Sequence, residues 1–157
     1  MHERRLLLVA NRTATNAKLC EAVADRARRA PRAVRVHLLV PAMPRGLHWA
    51  VDPEVAGHEE ARGRLKAALP GLSAAAGSPV TGEVGDADPF AAIQDALFRE
   101  PFDEIIISTL PRRVSRWLRQ DLPSKTRALG VPVTHVEAVS VPDEVALAGD
   151  WTLTARG

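Results

Sequence analysis

The sequence contains a single cysteine, Cys20, no tyrosine, and only three tryptophans and three phenylalanines. A lone cysteine cannot close a disulfide within the chain, so the fold has to be held by a packed core. No apolar run reaches the length of a membrane span, and the apolar stretch 6–10 after the charged start is too short for a signal peptide. We therefore expect a soluble, cytoplasmic protein with no membrane association.

The sequence also lacks the motifs of common catalytic sites. It has no nucleophile elbow, no Walker lysine loop and no dinucleotide-binding fingerprint. Its five histidines are scattered, and the spacing of His48 and His58 suits no common metal motif. The first apolar run ends in Val9-Ala10-Asn11, without the acidic pair that a phosphate-accepting receiver domain needs. We predict no catalytic residues, no metal and no enzymatic activity.

The overall composition is that of one globular domain, with 157 residues of which 46% are hydrophobic and 25% are charged. We expect the domain to cover 1–140 and a C-terminal tail to cover 141–157. The formal net charge is +2, and we expect no nucleic acid partner. The 18 arginines far outnumber the three lysines. A GC-biased genome also produces such an excess, so only a local arginine cluster is informative about function.

Five short apolar runs, rich in β-branched residues, predict strands at 6–9, 34–40, 80–84, 105–107 and 131–136. The segments between them have the apolar spacing of amphipathic helices. Nearly continuous apolar strands that alternate with helices indicate a parallel sheet covered on both faces. We therefore predict an α/β fold with a doubly wound, Rossmann-like, five-stranded parallel sheet in the order 3-2-1-4-5.

The helices differ in how clearly they are marked. The third predicted helix has Asp88 as a capping residue, Pro89 in its first turn and Pro101 as its stop. In the second predicted helix, Gly63 and Pro70 weaken the helical continuity, and the sequence does not define its boundaries sharply. Two stretches fall outside the repeat, namely a long loop at 41–52 that contains Trp49 and the tail after residue 137.

Ligands of open parallel sheets bind beyond the carboxyl ends of the strands, where the strand order reverses. For the order 3-2-1-4-5 this point lies between the first and fourth strands, so the loops at 10–15 and 108–113 are the candidate site. Both loops lead into predicted helices, whose free N–H groups favour an anion. The candidate ligand contacts are Ala10, Asn11, Arg12, Thr13, Val40, Ser108, Thr109, Arg112 and Arg113.

Four segments, at 6–13, 85–89, 103–108 and 131–136, look like the successive signatures of universal stress protein domains. The resemblance covers about residues 4 to 137, and the order and spacing of the four segments make it more specific than any one of them. It implies a fold like that of the adenine-nucleotide alpha hydrolases and a homodimer paired through the last strand. In one branch of the family it also implies a bound adenosine triphosphate.

That branch carries a phosphate loop made of a glycine, two residues, a glycine, nine residues, a glycine and then serine or threonine. When this loop is aligned with the sequence without a gap, its glycine positions correspond to Ser108, Pro111 and Asp121. Its hydroxyl position corresponds to Leu122. Pro111 has no N–H to donate, and Asp121 would place a carboxylate near a polyphosphate. We therefore expect an adenine nucleotide to bind weakly at most, with the triphosphate disfavoured.

The charged and polar residues near this loop have two interpretations each. Arg112, Arg116 and Arg119 are spaced to share one face of the last predicted helix, with Arg113 beside them, and this face could neutralise a small anion or be an ordinary solvated surface. Asn11 stands where many family members have an aspartate that binds ribose or adenine. It could contact a ligand or satisfy backbone groups at the helix entry.

We predict a regulatory or ligand-binding module that resembles the universal stress proteins and is not catalytic. Two alternatives stay open. One is a structural protein that docks another macromolecule and binds no small ligand, and the other is an enzyme that acts on a nucleotide, which fold analogy alone supports only weakly. We also expect a homodimer, because an extended segment at 131–141 would otherwise leave an unpaired sheet edge.

Overall fold

The apolar runs of the sequence come together as one parallel sheet. The structure, a computed structural model, describes residues 3–30, 32–42 and 53–138. Its strands are β1 (Arg4–Val9), β2 (Val34–Pro41), β3 (Thr81–Gly85), β4 (Glu104–Thr109) and β5 (Val133–Glu137). They pair in the order β3-β2-β1-β4-β5, and every pairing is parallel. The predicted fold class and strand order are confirmed.

Helices cover both faces of this sheet. They are α1 (Ala17–Arg29), α2 (Pro53–Ala76), α3 (Pro89–Arg99), α4 (Arg116–Arg119) and α5 (Leu122–Arg127). On one face, Leu8 of β1 packs in a buried cluster with Leu72 of α2 and the apolar side of α1. On the other face, Leu7 of β1 packs in a second cluster with Trp117 of α4 and the buried side of α3. Adjacent residues of β1 thus point into two separate cores.

The second helix is continuous over 24 residues, so the expected weakness at Gly63 and Pro70 is wrong. Both residues are exposed, on the side of α2 that faces away from the sheet. On that side water can satisfy the carbonyl that proline leaves without a donor. The third helix begins and ends as the sequence indicates, because Asp88 caps it by accepting a hydrogen bond from the backbone N–H of Phe90.

The last predicted helix is split into α4 and α5, so the expectation of one face carrying Arg112, Arg116 and Arg119 is wrong. Arg112 lies in a turn ahead of α4, and only the other two arginines share the short helix. Asp121 separates the helices in the left-handed conformation, with φ of 57°. The break has a local cause: Pro123 has no N–H with which to continue the helical ladder, and its ring would clash with the preceding turn.

Two features predicted from the sequence lie outside the described residues. These are the loop at 41–52, apart from its first two residues, and the tail at 141–157. Among the helices that the structure does describe, none is long and apolar enough to cross a membrane.

A buried carboxylate ties the sheet to α1 at the edge where the strands begin. The side chain of Glu104, at the start of β4, is only 6% exposed. Arg26 of α1 donates hydrogen bonds to both of its oxygens at nitrogen–oxygen distances of 2.7 to 3.3 Å. Thr134 of β5 donates its hydroxyl at 2.6 Å, and Arg4 of β1 donates at 3.1 Å. One side chain thereby links one helix and three strands.

The surroundings of Glu104 keep it ionised. Burial by itself would raise the pKa of this carboxyl, but the hydrogen bonds from Arg26, Thr134 and Arg4 outweigh burial and lower the pKa to about 2. An unfolded glutamate has a pKa of about 4.3. The network therefore stabilises the fold fully above that value, and its contribution is lost as the pH falls towards the folded pKa.

We predict that Glu104→Gln lowers the free energy of unfolding by about 3 kcal/mol near neutral pH, because each unit of pKa shift corresponds to about 1.4 kcal/mol. The difference from the wild type should shrink as the pH is lowered from about 5 to about 2, since the wild type loses the same interaction on protonation. Urea denaturation across this pH range measures it.

Glu100→Gln is the matched control. The Glu100 side chain is 41% exposed and lies 3.7 Å from Arg5, so its loss should cost less than about 1 kcal/mol at any pH. A stability difference for Glu104→Gln that does not change with pH would show that the carboxylate is not held ionised by this network.

Candidate functional site

The chain leaves β1 and β4, which are neighbours in the sheet, towards opposite faces. After β1 it enters α1, whose Leu19 packs in the first core, and after β4 it reaches α4, whose Trp117 packs in the second core. The loops at 10–16 and 110–115 therefore diverge at the carboxyl edge, where open parallel sheets bind their ligands, and we refer to the space between these loops as the crevice. This is the switch point expected from the sequence.

Two hydroxyl groups meet at the base of the crevice. The Oγ1 atom of Thr13, in the loop after β1, lies 2.6 Å from the Oγ atom of Ser108 in β4. Both residues are buried, with 5% and 1% of their surfaces exposed. Either hydroxyl can donate to the other, and the pair joins the two loops. The crevice thus has a neutral, hydrogen-bonded base.

Asn11 is partly committed to the protein's own backbone. Its Nδ2 atom donates a hydrogen bond of 2.6 Å to the carbonyl of Pro41, at the end of β2. This contact corresponds to the second interpretation of Asn11, as a residue that satisfies a backbone group. Its side-chain oxygen accepts no hydrogen bond from the described residues, so the carboxamide keeps one acceptor for a ligand.

Two other candidate residues offer little side-chain surface. Ala10 and Val40 are fully buried and belong to the core on the α1 side of the sheet. Val40 pairs with Val84 of β3 in the sheet register. A ligand in the crevice could reach either residue only through its backbone atoms.

The end of β5 brings polar groups to the crevice that the sequence analysis missed. The Oγ1 atom of Thr109 lies 2.8 Å from the Nε2 atom of His135, and Glu137 accepts a hydrogen bond of 3.3 Å from the backbone N–H of Arg112. His135 lies within the predicted strand at 131–136, and the sequence pattern assigns it no other role. The available signal was the spacing of His135 and Glu137, because residues two apart near a strand's carboxyl end point to the same side.

The imidazole of His135 is held in its neutral form. Burial lowers its pKa, Glu137 acts in the opposite direction, and Arg127 and Arg112 lower it further. Thr109 also donates its hydroxyl to the carbonyl of Leu110 at 2.9 Å. The Thr109 oxygen is then free to accept from the imidazole, which favours the tautomer with hydrogen on Nε2.

Three arginines from the candidate set lie in the two loops beside the crevice. Arg12, Arg112 and Arg113 are exposed, and none forms an ion pair with an acidic side chain among the described residues. Their guanidinium groups are therefore available to an anion. No group of three histidine, cysteine, aspartate or glutamate side chains in the described ranges could hold a metal ion.

The helix starts beside the crevice are weaker anion sites than expected. The first residues after β1 form turns, and α1 begins only at Ala17, where Asn16 accepts a hydrogen bond from the backbone N–H of Lys18. On the other side α4 has four residues, so few peptide dipoles align there. The anion-binding capacity of the crevice therefore rests on its arginines rather than on the helix ends.

The positions aligned with the phosphate loop occupy varied environments. Pro111 lies in the loop after β4, and Asp121 is exposed in its left-handed conformation. Leu122 is 2% exposed and packs in the core with Trp117. Leu122 therefore faces the interior, away from a ligand that binds in the crevice.

No protein-family model and no curated protein matches the sequence. Solved structures with the same fold do match. A universal stress protein from Archaeoglobus fulgidus has 16% sequence identity and a TM-score of 0.58, with coverage of 87% of this chain and 95% of that chain. A protein of the universal stress protein family from Burkholderia pseudomallei has 15% identity and a TM-score of 0.59, with coverage of 84% and 94%.

A third structure of this kind is a universal stress protein in complex with cAMP, with 13% identity and a TM-score of 0.54. The match covers 88% of this chain and 98% of that chain. At this level of identity the likeness shows the fold, which agrees with the resemblance noted in the sequence. The chain has the α/β fold of the universal stress protein structures.

We predict that Thr13→Val and Ser108→Ala each lower the free energy of unfolding by about 1–2 kcal/mol, because each leaves the other hydroxyl buried without a partner. The double variant should lose less than the sum of the two, with a coupling of at least about 0.5 kcal/mol. Denaturant unfolding of the wild type, the two single variants and the double variant measures this coupling energy. Thr15→Val, at an exposed threonine of the same loop, is the control. Additive losses would mean that the two hydroxyls do not interact.

Proposed function

We propose that this protein is a non-catalytic binding module of the universal stress protein type, whose crevice between β1 and β4 holds a small adenine nucleotide. The observation that carries the proposal is the contact between Thr13 and Ser108 at the switch point, between two loops that carry exposed arginines. A neutral hydrogen-bonding base and cationic edges suit a ligand with a polar neutral part and an anionic part.

The number of phosphates on this ligand should be small. Arg12, Arg112 and Arg113 can neutralise one phosphate group, each through a planar donor fork. A longer phosphate chain would extend towards α5, where the family's loop supplies glycines. Pro111 and Asp121 stand at those positions instead, so a donor is missing and a carboxylate is present. Two like charges about 4 Å apart repel by roughly 4 kcal/mol at an effective dielectric of 20.

The conformation of Asp121 supports the alignment with the phosphate loop. Its positive φ is one that glycine adopts readily and that other residues seldom adopt. A chain that keeps this backbone conformation at Asp121 places a carboxylate where the family's loop has a neutral glycine. The complex of one fold neighbour with cAMP, an adenine nucleotide with a single phosphate, is compatible with this preference.

The polar groups of the crevice also favour binding over catalysis. The hydroxyls of Thr13, Ser108 and Thr109 each have a partner within the protein. His135 contacts the buried Thr109, whose hydroxyl donates to a backbone carbonyl, so the histidine has no exposed nucleophile to activate. A module of this kind would act by changing its stability or its contacts when the ligand binds.

We predict that adenosine triphosphate binds no more tightly than adenosine monophosphate or cAMP, measured by calorimetric titration. Arg112→Gln should weaken monophosphate binding about tenfold, the effect of losing one charge-assisted hydrogen bond. Asn11→Ala should also weaken binding, and Asp121→Gly should improve the triphosphate relative to the monophosphate.

Arg29→Gln is the control, since Arg29 is exposed at the far end of α1 and pairs with Asp25. If both Asn11→Ala and Arg112→Gln leave the affinity of a bound nucleotide unchanged, the site lies elsewhere. If the triphosphate binds with micromolar affinity, clearly more tightly than the monophosphate, and Asp121→Gly does not improve it, the altered loop does not disfavour the triphosphate and the proposal is wrong on this point. Nucleotide turnover over time would refute the non-catalytic role.

We also propose a homodimer formed through β5. Among the described residues this strand pairs only with β4, which leaves its outer edge without backbone partners. Four of its five residues are half-buried, and the strand has no lysine or proline and only one charged residue, Glu137, to protect its edge. A second copy of β5 would pair the open N–H and C=O groups.

We expect light scattering to show a dimer at micromolar concentration, with amide hydrogen exchange in β5 slowing as the protein concentration rises. Exchange in β3, at the opposite edge of the sheet, is the internal reference and should not depend on concentration. A protein that is monomeric throughout this range would contradict the dimer.

A further inference from the structure

The residues from 112 to 127 form a strongly basic part of the chain. This stretch carries six lysines and arginines and a single acidic residue, Asp121. Four of its cations, Arg112, Arg113, Arg116 and Arg119, lie in the turn before α4 and on α4 itself, and all four are exposed. We refer to these four residues as the basic row.

The basic row lacks the counter-charges that several other exposed arginines have. Arg28 and Arg29 both pair with Asp25, and Arg35 pairs with Glu3. No arginine of the basic row forms an ion pair with a described acidic side chain, and their one carboxylate contact joins Glu137 to the backbone N–H of Arg112. Arg12, Arg32 and Arg62 are likewise exposed without an acidic partner among the described residues, but they are spread along the chain, whereas the basic row has four such arginines within eight residues.

The packing of α4 holds the row in place. Trp117 is 6% exposed and lies in the core beneath α4, and Ser115 caps the helix by accepting from the backbone N–H of Leu118. Arg116 and Arg119 are three residues apart, so they project from neighbouring positions on the helix surface. Arg112 and Arg113 continue the positive charge towards the crevice.

We propose that the basic row binds the phosphodiester backbone of a nucleic acid without sequence preference. Guanidinium groups suit phosphate because their planar donor forks can contact two oxygens at once. The sequence suggested no nucleic acid partner, since its net charge is small. The structure leaves four arginines that are close in sequence exposed and unpaired, while Arg28, Arg29 and Arg35 pair with acids, and this creates a local positive field.

The surroundings of the row argue against a membrane. Stable binding in a bilayer interface usually combines charge with exposed aromatic or large apolar side chains next to the cations. Within 112–127 the one large apolar side chain that is strongly exposed is Val114, at 54%, whereas the aromatic ring of Trp117 is buried. The same lack of an exposed ring removes base stacking, so contacts to phosphates are the ones available.

The test is fluorescence anisotropy with two labelled probes of mixed sequence, a single-stranded RNA and a duplex DNA of about 20 nucleotides or base pairs, between about 50 and 200 mM salt. Four phosphate contacts predict a slope of log affinity against log salt near −3 to −4 for the duplex, and a slightly smaller one for the single strand. The double variant Arg116→Gln and Arg119→Gln should reduce the slope by about two. Comparing the probes shows which nucleic acid is preferred.

Arg28→Gln with Arg29→Gln is the control, because it removes the same charge from exposed but paired positions. Its binding should match the wild type. Neither pair lies in the proposed nucleotide crevice, so monophosphate binding should survive in both variants. The proposal is wrong if the two double variants weaken binding equally, or if neither nucleic acid binds at about 50 mM salt. It is also wrong if vesicles with anionic lipid bind the protein through these arginines while both nucleic acids do not.

Discussion

The rest of the structure depends on the burial of β1 and β4 on both faces of the sheet. Every residue of β4 is buried, and alternate residues of β1 enter different cores. Strands buried in this way need helices on both sides, so the chain must leave them in opposite directions. The crevice at the carboxyl edge follows from that divergence, and the Thr13 and Ser108 hydroxyls close its base. The site is therefore a consequence of how the core is built.

Charged side chains are paired where the strands begin and unpaired where the strands end. At the amino-terminal edge, Glu104 is surrounded by Arg26, Arg4 and Thr134, and these groups satisfy one another. At the carboxyl edge, arginines stand exposed without acidic partners among the described residues. A fully paired ionic network stabilises the fold and leaves no charge for a ligand. Unpaired guanidinium groups contribute little to stability and are available for anions, and this is why we propose that recognition takes place at the carboxyl edge.

The crevice and the basic row are adjacent but differ in chemistry. The crevice has a neutral base of hydroxyls and an acceptor on Asn11, which suits the polar parts of a nucleoside. The basic row offers charge alone, on a surface without exposed rings. Arg112 and Arg113 belong to both. A mononucleotide and the backbone of a nucleic acid would therefore compete for these two arginines, and binding of one would weaken binding of the other.

The sequence by itself determined the strands, their order and the two loops that follow β1 and β4, because a strand buried on both faces is a continuous apolar run. It also determined the third helix, because a capping residue acts on its own helix. It did not determine the split of the last helix, where Pro123 and the left-handed Asp121 override the apolar spacing. Nor could it reveal the pairing of Arg26 with Glu104, 78 residues apart, or the contact between Thr13 and Ser108. Such contacts exist only after the crossovers bring distant segments together, and local periodicity carries no information about them.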